Sequence, residues 1–450
     1  MTRLAVAKTL VQGTVILKGI SYSFSASASG TGVADKAFEA VNLAILASNS
    51  AATVTACASI EKILSENSAV LSDLEITEAI SNNLTTTVEL VEETITLFIS
   101  GYAYFISKYI LTKERTLVYQ EQFNCLDNPS WMAYDSNSEC LFATSEVDYY
   151  NNLNSGAVQS FKVESGLKLS SINNVSSVGA SPANIFIDTT NKNILTSNYN
   201  NGIMAVIPYT ESGELQEASQ TIVHTPTDVS HIHTTIIYKN IVTIVDLGLD
   251  TVTQYSTTDA GYILINTITF PTGSGPRQIK IHSSGTFAVV VCELANTLTI
   301  LPLEVDTGVI INKSFSDYFT ISTLPPDQTD ATDMGAAQIQ FSESGKYVYV
   351  SNRDKSSPDK GRSSISSFTI LFEKEVKLTW LQTVSSYGAY PRYFTFLNKG
   401  NIMAIVNQVD GNFVSYLMDK KTGLIKSETV ISTDKNVLTG PSFILPFYTF

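Results

Sequence analysis

Seven times along this chain a short segment opens on a turn and runs into an apolar strand. The segments are NPSWMAYD from Asn128, SPANIFID from Ser181, SHIHTTII from Ser230 and GPRQIKIH from Gly275, then GAAQIQFS from Gly335, YPRYFTFL from Tyr390 and GPSFILPF from Gly440. Successive openings lie 45 to 60 residues apart. Such a period leaves room for four strands per unit and points to a propeller rather than a sandwich, because one unit cannot bury both its faces without neighbours. Each opening is followed by a second apolar run that stops at a polar residue: Glu146, Tyr199, Asp246, Glu293, Arg353 and Gln408. A third, alternating strand follows, as in SGAVQSFKV, NTLTILPL and GNFVSYLM. Turns such as Asp306–Gly308 and Lys421–Gly423 then lead to a fourth.

The repeat also predicts how the ring closes. The opening at Gly440 is the last element and has nothing after it to pair with, while TITLFIS, YAYFISKYI and TLVYQEQF precede the first opening without one of their own. One C-terminal strand and three N-terminal strands complete the seventh blade, leaving no open end to the ring. The fold class expected is therefore all-β: a seven-bladed β-propeller of four-stranded antiparallel blades over residues 96–450. Residues 1–95 form a separate extension, rich in Ala, Ser, Val and Leu and lacking Pro and Trp. Val33–Ala47 and Ala56–Leu64 carry apolar residues at helical spacing, and Ser21–Gly32 reads as a linker. The extension is expected to be partly helical or disordered.

Composition narrows the functional classes. With 44% hydrophobic and 16% charged residues the chain is no disordered polymer. A formal charge of −14 argues against a basic nucleic-acid surface, so any anion must be met by a local concentration of cations. Cys57, Cys125, Cys140 and Cys292 form no CxxC pair and read as buried reduced thiols. Four histidines, no calcium-loop spacing and no nucleotide or nucleophile-elbow motif give no reason to expect a metal or cofactor. No apolar run of membrane-spanning length occurs, so no membrane association is expected. Met1–Ala34 carries Arg3, Lys8 and Lys18 and no acid, a composition shared with mitochondrial presequences; a cytoplasmic location is the main expectation, an organelle the lesser one.

Antiparallel pairing puts the start of each inner strand and the end of each second strand at the same mouth of the channel. The starts supply Asn184, His233, Arg277, Gln338 and Arg392, and the ends supply Asn198, Asp246, Glu293, Arg353, Asn407 and Gln408. Polar groups at strand ends ordinarily cap turns and bridge blades. Three arginines on one rim of an acidic chain ask for more, since the guanidinium fork suits carboxylate and phosphate.

The segments GSGPRQIKIHSSGTFAVVVCEL, GAAQIQFSESGKYVYVSNR and YPRYFTFLNKGNIMAIVNQ, with DKKTGLI after them, resemble the lactonase family of seven-bladed propellers. That family includes propeller-type 6-phosphogluconolactonases and fungal carboxy-cis,cis-muconate lactonizing enzymes, and the resemblance spans residues 96–450. It implies a catalytic set of His233, Glu293, Arg277 and Arg353, with Arg392 and Gln408 matching later family positions and no cofactor. It further implies hydrolysis of an anionic sugar lactone: the arginines hold the anion and polarise the carbonyl, and His233 or Glu293 moves the proton. Asn407, Asn198, Asn184, Gln338 and Asp246 are expected to contact the ligand. The family's second opening carries a His where Asn184 stands, and its fifth a Glu where Gln338 stands. Two alternatives remain: closure of a carboxymuconate to its lactone, and a non-catalytic scaffold binding a protein or an anionic metabolite on this face.

Overall fold

The computed structural model describes residues 10–17, 20–27, 94–258, 261–357 and 360–449. From Thr94 to Thr449 the chain forms seven four-stranded antiparallel sheets. Blades 1 to 6 begin with the inner strands Met132–Asp135, Pro182–Asp188, Ile232–Tyr238, Pro276–Ile281, Met334–Phe341 and Pro391–Leu397. In each, the strands follow sequence order from the inside outwards. Blade 7 has the order Pro441–Thr449, Thr94–Gly101, Phe105–Leu111, Leu117–Asn124, so both termini meet in one sheet as the repeat predicts. The join is tight: Tyr102 donates its amide to the Gly440 carbonyl at 2.9 Å, and a Cβ on Gly101 would collide with that carbonyl oxygen.

The second strands explain why the chain folds this way. Cys140–Ser145, Phe287–Cys292 and Ile402–Asn407 are buried at every residue, because a blade is covered on both faces by its neighbours. Val245, Val252 and Ile268 of blade 3 pack against Ile279, Val290 and Leu301 of blade 4, and similar cores lie between the other blades. Each such side chain contributes about 1.5–3 kcal/mol of burial, which outweighs the weak local preference of short strands. The outermost strands, such as Val376–Ser385, are mostly half-buried or exposed.

Two recurring details position the mouth. The inner strands of blades 2, 3, 4 and 6 each carry a β-bulge one residue in, at Ala183, His233, Arg277 and Arg392, while in blade 5 the irregularity spans Ala337 and Gln338. A bulge leaves its residue outside the ladder and re-aims the side chain. The second detail is a latch at or near the end of the second strand. Asn198, Asn352 and Asn407 donate their carboxamides to the carbonyls of Ser177, Thr323 and Ser386, each just past the outer strand of the preceding blade.

Before the ring, Leu10–Leu17 and Ile20–Ser27 pair as an antiparallel hairpin. Ser21–Ser27 is thus strand where the sequence suggested linker; serines alternating with Tyr22, Phe24 and Ala26 supply the period of two. The two stretches at helical spacing lie outside the described residues. Cys125, Cys140 and Cys292 are free, and burial pushes the Cys292 thiol up to about 12.

Candidate active site at one mouth of the ring

Five of the anticipated residues converge. Arg277, on the bulge of blade 4, donates Nε to Glu293 at 3.1 Å and Nη1 to the Ala337 carbonyl at 2.8 Å. From blade 5, Arg353 Nη2 reaches the same Glu293 oxygen at 2.7 Å, while its other nitrogens bond the Gly335 carbonyl and the Tyr390 hydroxyl. The Tyr390 ring lies 4.8 Å from the Arg353 guanidinium carbon. Lys355 adds a further ammonium 3.8 Å from Glu293, in space that a side chain on Gly335 would fill. Glu293 thus holds two buried guanidinium groups together. Despite burial, which alone would raise it, Arg353 and Arg277 hold its carboxyl down at about 2.

His233 sits on the bulge of blade 3, 4% exposed, its Nδ1 3.3 Å from the Thr234 hydroxyl. Burial first, then the positive fields of Arg277, Arg392 and Arg353, push it well below the usual imidazole range. The side chain is therefore neutral at physiological pH. Tyr199, at the end of blade 2's second strand, stacks on His231 with ring centroids 4.4 Å apart and meets His233 edge-on at 6.1 Å.

Arg392, on the bulge of blade 6, has a separate carboxylate. Its Nη2 lies 3.4 Å from Glu146 of blade 1, its guanidinium covers the Tyr102 ring at 5.0 Å, and the Tyr102 hydroxyl donates to Glu146 at 2.8 Å. Among the described residues the mouth therefore carries three guanidinium groups and one ammonium against two carboxylates, an excess of two positive charges on a chain of net −14.

Other anticipated residues lie elsewhere. Asp246 is fully buried in blade 3, where it accepts from the His224 ring, the Ser230 hydroxyl and the amides of His231, Gly248 and Leu249. It fills the latch position, as do Asn198 and Asn407. Asn184 is one residue past the bulge, paired with Ser197; Gln338 is buried with both carboxamide atoms unbonded. Gln408 does reach the rim, its amide donating to Tyr390 as Glu293 does to Gly275. The rim position is thus the residue that follows the latch position, and it also places Tyr102, Glu146 and Tyr199 at the mouth. Glu146 and Tyr199 could have been found from the sequence, because they end second strands in the same way as Glu293. Tyr102 could not, since its blade lacks an opening before it.

No group of three His, Cys, Asp or Glu side chains suited to a metal is found among the described residues. No described helix is long and apolar enough to cross a membrane.

A seven-bladed ring with an arginine-rich mouth defines the class, and comparison with known proteins gives the family. The profile described as "Lactonase, 7-bladed beta-propeller" matches residues 95–437, and the chain belongs to that family. The 6-phosphogluconolactonase of Bacillus subtilis is 29% identical over 307 residues, covering 66% of this chain and 82% of that protein. In structure, a protein from Lactobacillus plantarum superposes with a TM-score of 0.67 at 23% identity, covering 79% of this chain and all of its own. The Pseudomonas aeruginosa periplasmic gluconolactonase gives 0.67 at 19%, covering 78% of this chain and 99% of its own. These two likenesses establish the fold.

Proposed function

We propose that the chain is a lactone hydrolase acting on an anionic sugar lactone, with 6-phosphogluconolactone the foremost substrate. The observation that carries this is the pair of buried guanidinium groups, Arg277 and Arg353, held on one carboxylate next to a neutral imidazole. The relative named 6-phosphogluconolactonase supports the substrate class. Arg277 and Arg353, with Lys355 beside them, bind the anionic group and polarise the carbonyl, stabilising the oxyanion that develops on it. His233 accepts a proton from the attacking water and returns one to the leaving ring oxygen. A bound anion offsets the guanidinium fields that depress His233, so the base strengthens when the site is loaded. Glu293, held acidic by its two arginines, positions them and moves no proton.

The test is release of acid from δ-6-phosphogluconolactone by the purified chain, measured above the spontaneous rate. Catalysis lost in His233→Asn with phosphate binding retained supports the mechanism. No turnover by the parent chain, with an anionic metabolite still bound in the mouth, would favour a binding scaffold instead.

A further inference from the structure

The two carboxylates divide the mouth into halves of unequal charge. On blades 4 and 5, Arg277, Arg353 and Lys355 surround Glu293 and leave an excess of two positive charges. On blades 6, 7 and 1, Arg392 faces Glu146 alone and the charge balances. A phosphate or carboxylate is drawn to the first half, where nothing else neutralises it. In the second half it would meet a carboxylate already occupying the cation.

What the second half offers is hydrogen bonding without net charge. Glu146 supplies carboxylate lone pairs, Arg392 a planar donor fork and Tyr102 a hydroxyl, with both charged side chains about one-seventh exposed. The Arg392–Glu146 contact, at 3.4 to 3.5 Å, is at the limit of a hydrogen bond, so neither group is fully spent on the other. The residue just past the bulge position is aromatic in each of these three blades: Trp131, Tyr393 and Phe443, with ring centroids 4.3 to 5.7 Å apart. In blades 2 to 5 the corresponding residues are Asn184, Thr234, Gln278 and Gln338. A donor fork, a carboxylate acceptor and a hydroxyl, in blades whose inner strands carry aromatic side chains, suit the adjacent hydroxyls of a polyol.

We propose that Arg392, Glu146 and Tyr102 form a neutral polyol subsite, which binds the hydroxyl-bearing part of a sugar-derived ligand whose anionic group lies on Arg277 and Arg353. This rests on the reading of the mouth as an anion site and adds its second half. Glu146 is a specificity-determining residue, since it both accepts ligand hydroxyls and keeps a second anion off Arg392.

The experiment compares inorganic phosphate with glucose 6-phosphate, which adds neutral hydroxyls to the same anion, by calorimetry on the full chain. The parent chain is expected to bind glucose 6-phosphate more tightly. In Glu146→Gln that preference should fall about tenfold, the loss of one charge-assisted hydrogen bond, because any change in mouth charge acts on both probes alike. Tyr102→Phe keeps the ring and the carboxylate and should lower the preference less. It serves as the second variant should Glu146→Gln not fold. Arg353→Gln should weaken both probes and leave their ratio intact. Equal affinity of the parent for the two probes, binding of neither, or an unchanged ratio in both Glu146→Gln and Tyr102→Phe would overturn the subsite. Absence of lactone turnover with the ratio behaving as stated would instead remove only the proposed hydrolysis.

Discussion

Replacing Glu293 by Gln removes the carboxylate that two buried arginines share while leaving its shape almost unchanged. The size of the effect follows from the site. The carboxyl is held at about 2 against an ordinary 4.5, which at 1.36 kcal/mol per pH unit is about 3 kcal/mol of net stabilisation of the folded chain. The side chain is 16% exposed, so solvent screens this little. Leaving Arg277 and Arg353 without their counter-ion falls in the same range, about 3–5 kcal/mol for a broken buried pair. Because the folded-state value is depressed, the stabilisation is present above about pH 4.5 and is lost as pH falls towards 2. Urea unfolding followed by tryptophan fluorescence should therefore show Glu293→Gln destabilised by about 3 kcal/mol at neutral pH, with the gap between variant and parent closing on acidification. A variant as stable as the parent at neutral pH, or a gap that stays constant into the acid range, would refute the reasoning. Turnover should also fall, since the arginines lose their common anchor, but the pH dependence of the residual rate should keep the shape set by His233.

Deleting Gly440–Phe450 removes the inner strand of blade 7, with the buried Phe443 and Ile444, and should cause aggregation or a large fall in melting temperature; a truncated chain that melts like the parent would contradict closure by both termini. A chain starting at residue 91 retains every strand of the seven blades and should unfold cooperatively; a broad, non-cooperative transition would show that the extension belongs to the core. Arg277→Ala should weaken phosphate binding roughly 10- to 150-fold, whereas His233→Asn should spare binding and lower turnover about 10²–10⁴-fold. The reverse pattern would exchange their roles. His233 is kept neutral when folded, so parent stability should decline as pH drops below about 6.5, by up to about 1.4 kcal/mol per pH unit, and this decline should be absent in His233→Asn.

The blade count, the order of strands and the joining of the two ends could all be read from the chain, because each depends on a repeat that the ring must satisfy to bury its faces. The same repeat placed His233, Arg277, Glu293, Arg353 and Arg392 at one mouth. It left the register at strand ends undetermined by one residue. Second strands buried on both faces carry apolar runs such as Phe287–Cys292, so they show no alternation from which to tell one face from the other. That one-residue ambiguity is why Asp246, Asn198 and Asn407 read as ligands, whereas their side chains latch the preceding crossovers, and why Glu146 and Tyr199 do not stand out as rim residues although they end second runs. The bulges that re-aim His233, Arg277 and Arg392 leave no mark in a propensity pattern, since they arise where the inner strand must pair and also line the channel. Nor could the chain reveal that Arg392 and Glu146, 246 residues apart, share a contact with Tyr102, because only ring closure brings blades 6, 7 and 1 side by side.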